Sequence, residues 1–171
     1  METAVNSFQT SYAPFFAVVR NPLKFRLFLL GKLPAAYFSG IRLQSITEDE
    51  AIVTIPYKWF TKNPFRSAYF ACLSMAAEMS TGLLAMAPIY KSTPRVALLV
   101  VKVEGSFHKK ATGSTRFVCR QGQLIRATIQ EAIDTGEGKS IRVHSEGYNQ
   151  AGELIAEFWI TWSFKAKRTG T

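Results

Sequence analysis

Between Ser67 and Tyr90 the chain carries a single formally charged residue, Glu78, among Ala, Leu, Met, Phe and Cys. A helix that is apolar on all sides must be covered on all sides, either by its own protein or by a bilayer. Ser74, Ser80, Thr81, Gly82 and Pro88 interrupt the segment, and its apolar residues are mostly Ala and Met. That composition favours a central helix wrapped by protein, with no stable membrane insertion. The lone carboxylate is then the question, because an ionised carboxyl buried without a partner costs several kcal/mol. No basic residue lies within four positions of Glu78 on either side, so the helix itself offers no ion pair.

The flanking sequence supplies the cover. From Gly40 apolar residues recur with period two, Ile41 and Leu43, then Ala51, Val53, Ile55 and Tyr57, across a turn at Thr47–Glu50. Beyond the apolar helix, residues 96–107, 114–120, 140–148 and 153–164 alternate or run apolar and are rich in β-branched and aromatic residues. Thr112-Gly113 and Asn149–Gly152 are expected to be turns between neighbouring strands. Ile125, Ile129 and Ile133, at steps of four, mark a short amphipathic helix ending near Gly136. Near the start, Asn21 before Pro22 is a helix-opening pair for a segment running from Leu23 to Leu33, ended by Pro34. That segment packs on the domain edge or lies on a membrane surface, and packing is the expectation. Residues 1–12 are polar and expected to be loose. The division is an N-terminal extension and helix over 1–39 and one domain over 40–171. Six strands adjacent in sequence favour an antiparallel sheet, and one sheet with one very apolar helix implies an α+β fold in which the sheet curls around the helix.

The net charge is +9. Such a balance suits an anionic partner, whether a phosphate-bearing cofactor, an acidic carrier or a nucleic acid. No helix-turn-helix, zinc-finger or RNP-like aromatic pattern is present, so nucleic acid is not expected. Cys72 and Cys119 sit in apolar contexts without CxxC pairing, and His108 and His144 are far apart in sequence. Neither a disulfide framework nor a metal site is expected. The apolar run Phe15–Val19 is too short for a secretory signal, which with the unpaired cysteines suggests a cytoplasmic, reducing location.

Over residues 42–165 the chain resembles the hotdog fold, a curved antiparallel sheet around one central helix, and within it the phenylacetyl-CoA-thioesterase-like group. Family thioesterases carry an Asn in the loop before the helix, a His-Gly-Gly at the helix start and an acid nine positions after the His. Here Asn63 precedes Tyr69 by six positions, the family's interval, and Tyr69-Phe70-Ala71 stands in place of His-Gly-Gly. Glu78 falls nine beyond Tyr69. "SFHKKATG" (106–113) resembles the basic segment that closes the third strand, and "YNQAGELIAEFWITW" (148–162) the last hairpin.

The resemblance implies a homodimer or homotetramer with sites between subunits, residues 96–101 pairing across the dimer. It implies hydrolysis of an acyl-CoA or acyl-carrier thioester, with coenzyme A entering as part of the substrate and no separate cofactor. In that reading Glu78 is the base or nucleophile, and the amides of Phe70 and Ala71 hold the oxyanion. Tyr69 can donate a hydrogen bond but has no imidazole chemistry. Asn63 orients the water or thioester, and Thr81, one turn past Glu78, positions the water. His108, Lys109 and Lys110 face the phosphates of coenzyme A, assisted by Arg116 and Arg120, which share one face of their strand. Phe65, Phe70, Leu73 and Met75 are candidates for the acyl pocket. Cys72 is an alternative nucleophile in the first turns of the helix, although a buried structural role is expected of it. A non-catalytic acyl or lipid binder is the principal alternative. A hotdog dehydratase is less favoured, because residues 57–69 hold no His.

Overall fold

A computed structural model of the chain describes residues 12–167, so the loose tail expected at the start falls almost wholly outside the described residues. Three short helices come first: α1 (Ala13–Val19), α2 (Pro22–Lys32) and α3 (Pro34–Ser39). Asn21 caps α2 as its position before proline suggests, its side chain accepting from the Lys24 amide at 3.0 Å. Pro34 does end that helix, but it also starts the next one, since proline needs no amide hydrogen at a first helical position. Neither α1 nor α3 was evident from periodicity, because seven and six residues are too few to show a helical repeat.

The hairpin β1 (Arg42–Ile46) and β2 (Ala51–Ile55) follows, then a 3₁₀ turn (Trp59–Thr61) and the apolar helix α4 (Phe70–Ile89). Next come β3 (Val96–Phe107), β4 (Thr115–Cys119), α5 (Gly122–Thr135), β5 (Lys139–Tyr148) and β6 (Leu154–Ala166). All pairings are antiparallel, in the order β1-β2-β4-β5-β6-β3. The expected turn at Thr112-Gly113 therefore does not join neighbours. It lies in a crossover that carries the chain from β3, at one edge, to β4 in the sheet interior.

The sheet curves around α4, whose packing partners include β2, β4, β5, β6 and α5. Alternation explains the cover: Phe158, Ile160, Trp162 and Phe164 of β6, with Val143 and Ser145 of β5, point to the helix and are buried. Leu73, Ala76, Ala77, Leu83, Leu84, Ala85 and Ala87 of α4 are buried in turn, on no single stripe. The helix is long and apolar enough to cross a bilayer, yet two thirds of its most apolar window, 67%, is buried inside the fold. Buried polar groups are paired across the same interface. Ser80 and Ser145 share a hydrogen bond of 2.8 Å, and Trp162 Nε1 donates to Thr81 Oγ1 at 2.9 Å.

Cover is thinnest at β3. Among the described residues this strand is a free edge of twelve residues, about 40 Å long, with a register shift between Val100 and Lys102. Leu99, Val101 and Phe107 are half exposed or more, and Val103 nearly so. A chain of ring contacts runs from that edge in both directions. Phe107 meets Phe70 (centroids 6.5 Å) and Phe158 (5.5 Å), Phe158 meets Phe117 (5.8 Å), and Phe70 meets Tyr69 (4.9 Å).

Phe117 is seated on Gly147, its register partner on β5. A Cβ at residue 147 would stand 2.5 Å from the Phe117 ring and 3.0 Å from the Ala156 carbonyl oxygen. Gly147→Ala is therefore expected to lower stability by about 1–3 kcal/mol through overpacking, read as a reduced denaturant midpoint. An unchanged midpoint would show that the aromatic row adapts freely.

Candidate functional site

The N-terminus of α4 faces a cavity of about 600 Å³. Its walls come from the loop before the helix (Asn63, Phe65, Ser67), the helix start (Tyr69, Phe70, Leu73) and the end of β3 with the residues after it (Phe107, His108, Lys109, Lys110). Backbone bonds join the walls, one of them between segments some forty residues apart. The Ala68 amide donates to the Ala111 carbonyl at 2.8 Å, and the Tyr69 amide to the Thr61 carbonyl at 2.7 Å. Tyr69 is the N-cap in extended conformation, without a side-chain capping bond. The amides of Phe70 and Ala71 have no backbone or side-chain acceptor among the described residues, whereas Cys72 and Leu73 already donate to the Tyr69 carbonyl. Two free N–H groups at the positive end of a 20-residue helix can receive developing negative charge.

Asn63 is spent on the loop itself. Its Oδ1 accepts from the amides of Phe65 (2.9 Å) and Ser67 (3.2 Å), and its Nδ2 donates to Ser67 Oγ (3.1 Å) and to the Ala68 carbonyl (3.3 Å). This folding of the loop holds Arg66 at φ 59° and leaves Phe65 73% exposed at the cavity rim. Thr81 is similarly committed. Its hydroxyl donates to the Glu78 carbonyl at 2.9 Å and accepts from Trp162, so it ties α4 to β6.

Glu78 lies on α4 eight residues past Phe70, about 12 Å along the helix, and is not among the residues lining the cavity. Its side chain is mostly buried, with Oε1 close to Gly82 and the Trp162 ring beside it. Among the described residues it has no ion pair and its carboxyl has no hydrogen-bond donor. Desolvation with nothing to offset it pushes the carboxyl up to about 7. Gly82 makes this position possible, because a Cβ there would stand 3.1 Å from Glu78 Oε1 and 3.3 Å from the Trp162 ring.

The basic residues divide. His108 Nε2 lies 2.9 Å from Glu157 Oε1, and Lys109 is paired with Glu153. Lys110 reaches only the Phe65 carbonyl, at 3.5 Å, and is the cavity cation with no carboxylate partner among the described residues. Arg116 lies away from the cavity, over the Tyr148 ring, and Arg120 pairs with Glu50 and Glu146. Leu73 and Phe65 line the cavity; Met75 does not. Burial pushes the Cys72 thiol up, away from the thiolate a nucleophile needs.

One grouping was invisible in the linear sequence. His144 Nε2 lies 2.9 Å from Glu157 Oε2, so a single carboxylate on β6 holds the imidazoles of β5 and of the residue just past β3. The signal was the period-two alternation of β5 and β6, which puts both side chains on the outer face; the position of β3 beside β6 was the missing piece. Among the described residues no group of three or more His, Cys, Asp or Glu is arranged to hold a metal ion.

A protein-family model described as "Domain of unknown function (DUF4442)" matches residues 25–164. No curated protein matches the chain. Among solved structures, a Pseudomonas aeruginosa protein of unknown function titled a probable thioesterase superposes with a TM-score of 0.73 at 20% identity, covering 86% of this chain and 97% of its own. A Chlorobaculum tepidum protein of unknown function gives 0.72 at 17% identity, covering 88% and 99%. A Haemophilus influenzae thioesterase gives 0.65 at 12% identity, covering 88% and 95%. At such identities the likeness establishes the fold, the hotdog arrangement of a curved sheet about a central helix.

Glu78 links stability to pH. Its folded-state value is raised, so the protonated carboxyl stabilises the fold. That contribution is complete below the ordinary value of 4.5 and is lost as pH climbs through about 7. Glu78→Gln abolishes the titration. The variant is expected to be more stable than the parent at about pH 8.5, by up to about 3 kcal/mol, and nearly equal to it at about pH 4.5. Parallel stability profiles for the two proteins would refute the desolvated state of this carboxyl.

Proposed function

The chain belongs to the DUF4442 family, and from that premise we propose that it is an acyl-CoA thioesterase-like hydrolase whose active site is shared between two copies. The observation that carries the reading is the division of chemical parts along α4. Among the described residues, unpaired amides lie at its tip beside a cavity, and an unpaired carboxyl that titrates near neutrality lies about 12 Å further on. One copy cannot bring both to one carbonyl carbon. The free edge of β3, with Val103 and Phe107 half exposed, is suited to pair with its own symmetry mate. Two-fold pairing of antiparallel edges lays the two α4 helices side by side in opposite directions. The mid-helix carboxyl of one copy then faces the helix tip of the other.

In this site the thioester carbonyl oxygen accepts from the Phe70 and Ala71 amides, and Glu78 from the second copy takes a proton from water. The resulting oxygen nucleophile attacks the carbonyl carbon, the C–S bond breaks, and the thiol leaves with the proton. Oxyanion donors of this kind contribute about 3–4 kcal/mol, and a positioned base contributes about 10²–10⁴ in rate. The acyl chain lies against Phe65, Phe70 and Leu73. Lys110, His108 and Lys109 attract the phosphates of coenzyme A at the rim. Asn63 and Thr81 act as positioning residues, the first shaping the loop and the second fixing the helix to β6. Phe70, 57% exposed where the thioesterases this chain resembles have glycine, also suits a pocket that holds an acyl chain without cleaving it. Binding of acyl-CoA without thiol release is the outcome that would support this second reading.

For hydrolysis, kcat/KM is expected to rise with pH and level off above about 7, as Glu78 ionises, and Glu78→Gln should lower it at least about 100-fold. Activity that persists in the variant, or that is flat from about pH 5 to 9, would remove Glu78 from the mechanism.

Shared catalysis has its own test. Tyr69 is extended (φ −69°, ψ 132°), so proline fits at residue 70 and removes one amide hydrogen. Phe70→Pro should lose about 100-fold in kcat relative to Phe70→Leu. Mixing Phe70→Pro with Glu78→Gln, after dissociation and reassociation, should restore activity, because half of the sites in a mixed dimer then carry neither defect. No recovery in demonstrably mixed dimers would place the amides and the carboxyl in separate sites.

A further inference from the structure

We propose that α2, α3 and the 3₁₀ turn at Trp59 form a docking surface for an anionic lipid bilayer. The proposal stands apart from the chemistry of the cavity and does not depend on it. Helix α2 is apolar on two faces. Phe25 and Leu29 are buried against the domain, while Leu23 (70% exposed), Leu27 (60%) and Leu30 (44%) stand at steps of four and three on the other side. Leu33, at the corner into α3, is 46% exposed. Phe38 of α3 follows, 6.4 Å from the Phe60 ring, and Phe60 is 6.5 Å from Trp59, which is 79% exposed. Single exposed leucines are ordinary, but seven large apolar side chains on three packed elements are not.

Charge identifies the occupant. Between Tyr12 and Thr47 the chain has five Lys or Arg and no Asp or Glu. Lys24, Lys32, Lys58 and Lys62 are exposed and, among the described residues, none pairs with a carboxylate. A second copy seated on this patch by two-fold symmetry would set these cations against their own equivalents. An anionic bilayer reverses that sign. Leucine and phenylalanine side chains enter the acyl boundary, lysines stay at the phosphates, and an exposed tryptophan suits the interface between them. The loop carrying Phe65 begins two residues after Phe60, bonded to the helix start at Tyr69, so the rim of the cavity adjoins the docked face.

The experiment is co-sedimentation of the full chain with vesicles of phosphatidylcholine containing about 30% phosphatidylglycerol, against vesicles of phosphatidylcholine alone. Binding is expected to be at least about tenfold stronger to the anionic vesicles and to weaken with salt. The double substitution Leu27→Glu and Trp59→Glu should reduce it at least about tenfold without lowering the thermal midpoint, since both side chains are exposed. Lys24→Glu with Lys32→Glu should do the same. Wild-type chain left in the supernatant by both vesicle types would overturn the proposal. So would binding that survives both double variants, or self-association that Leu27→Glu abolishes while vesicles are ignored.

Discussion

The structure is organised by the demand that α4 be covered on every side. A helix with no polar face cannot rest on a flat sheet, which would shield only one stripe of it. The sheet must curve, and the curvature fixes which strands can be neighbours. β4, β5 and β6 take the central positions because their inward residues, Phe117, Val143, Phe158, Ile160 and Trp162, supply the bulk that fills the space around the helix. β3 is then left at the edge, where the cover runs out. Glu78 is tolerated because it lies where enclosure is incomplete and its carboxyl can take up a proton. Wrapping the helix and perturbing the acid are one physical event, since desolvation is the cause of the shift.

Much of this was legible beforehand for a simple reason. Period-two alternation and an uninterrupted apolar run are signals that survive without knowledge of tertiary contacts, so six strands and α4 could be read from residues 40–164. The position of β3 could not. Its sequence reads like any other strand, and nothing local says that the chain crosses the sheet after Thr112 before pairing again. Helices α1 and α3 escaped because each is too short to repeat its pattern. At the site, Glu78 stood out by its isolation, and the basic run at 108–110 did fold onto the mouth of the cavity. Asn63 and Thr81 show the limit of spacing. Both lie at intervals suited to catalysis, yet their polar atoms are engaged by the Ser67 loop and by Trp162, contacts that no linear pattern announces.

Arginines and histidines show the same limit in the other direction. Arg116 and Arg120 share a strand face, which is what alternation predicts, but that face points away from the cavity. His108 and His144, thirty-six positions apart, meet on Glu157 because β3 and β5 flank the same strand. Distance along the chain is a weak guide once a sheet rearranges strand order. The Glu157 contact also restrains His108 at the cavity rim, leaving Lys110 as the rim cation without a carboxylate partner among the described residues.

The proposed chemistry places a constraint on the residues that stand where the thioesterases this chain resembles have glycines. An amide can stabilise an oxyanion only if the carbonyl reaches about 3 Å from its nitrogen, and at residues 70 and 71 a phenyl ring and a methyl group stand where hydrogens would otherwise leave the approach open. The ring has two aromatic neighbours. Phe70 is held edge-on by Tyr69 on one side and by Phe107 on the other, and Phe107 is braced in turn by Phe158. The approach to the helix tip is therefore bordered by the rings of Tyr69, Phe70 and Phe107. For the proposed acyl substrate, rings on the approach disfavour a group branched next to the carbonyl. In the proposed site, the residues standing in place of His-Gly-Gly thus bear on substrate shape, while the carboxyl and the amides, at the spacing of the thioesterases the chain resembles, are the parts assigned to the reaction.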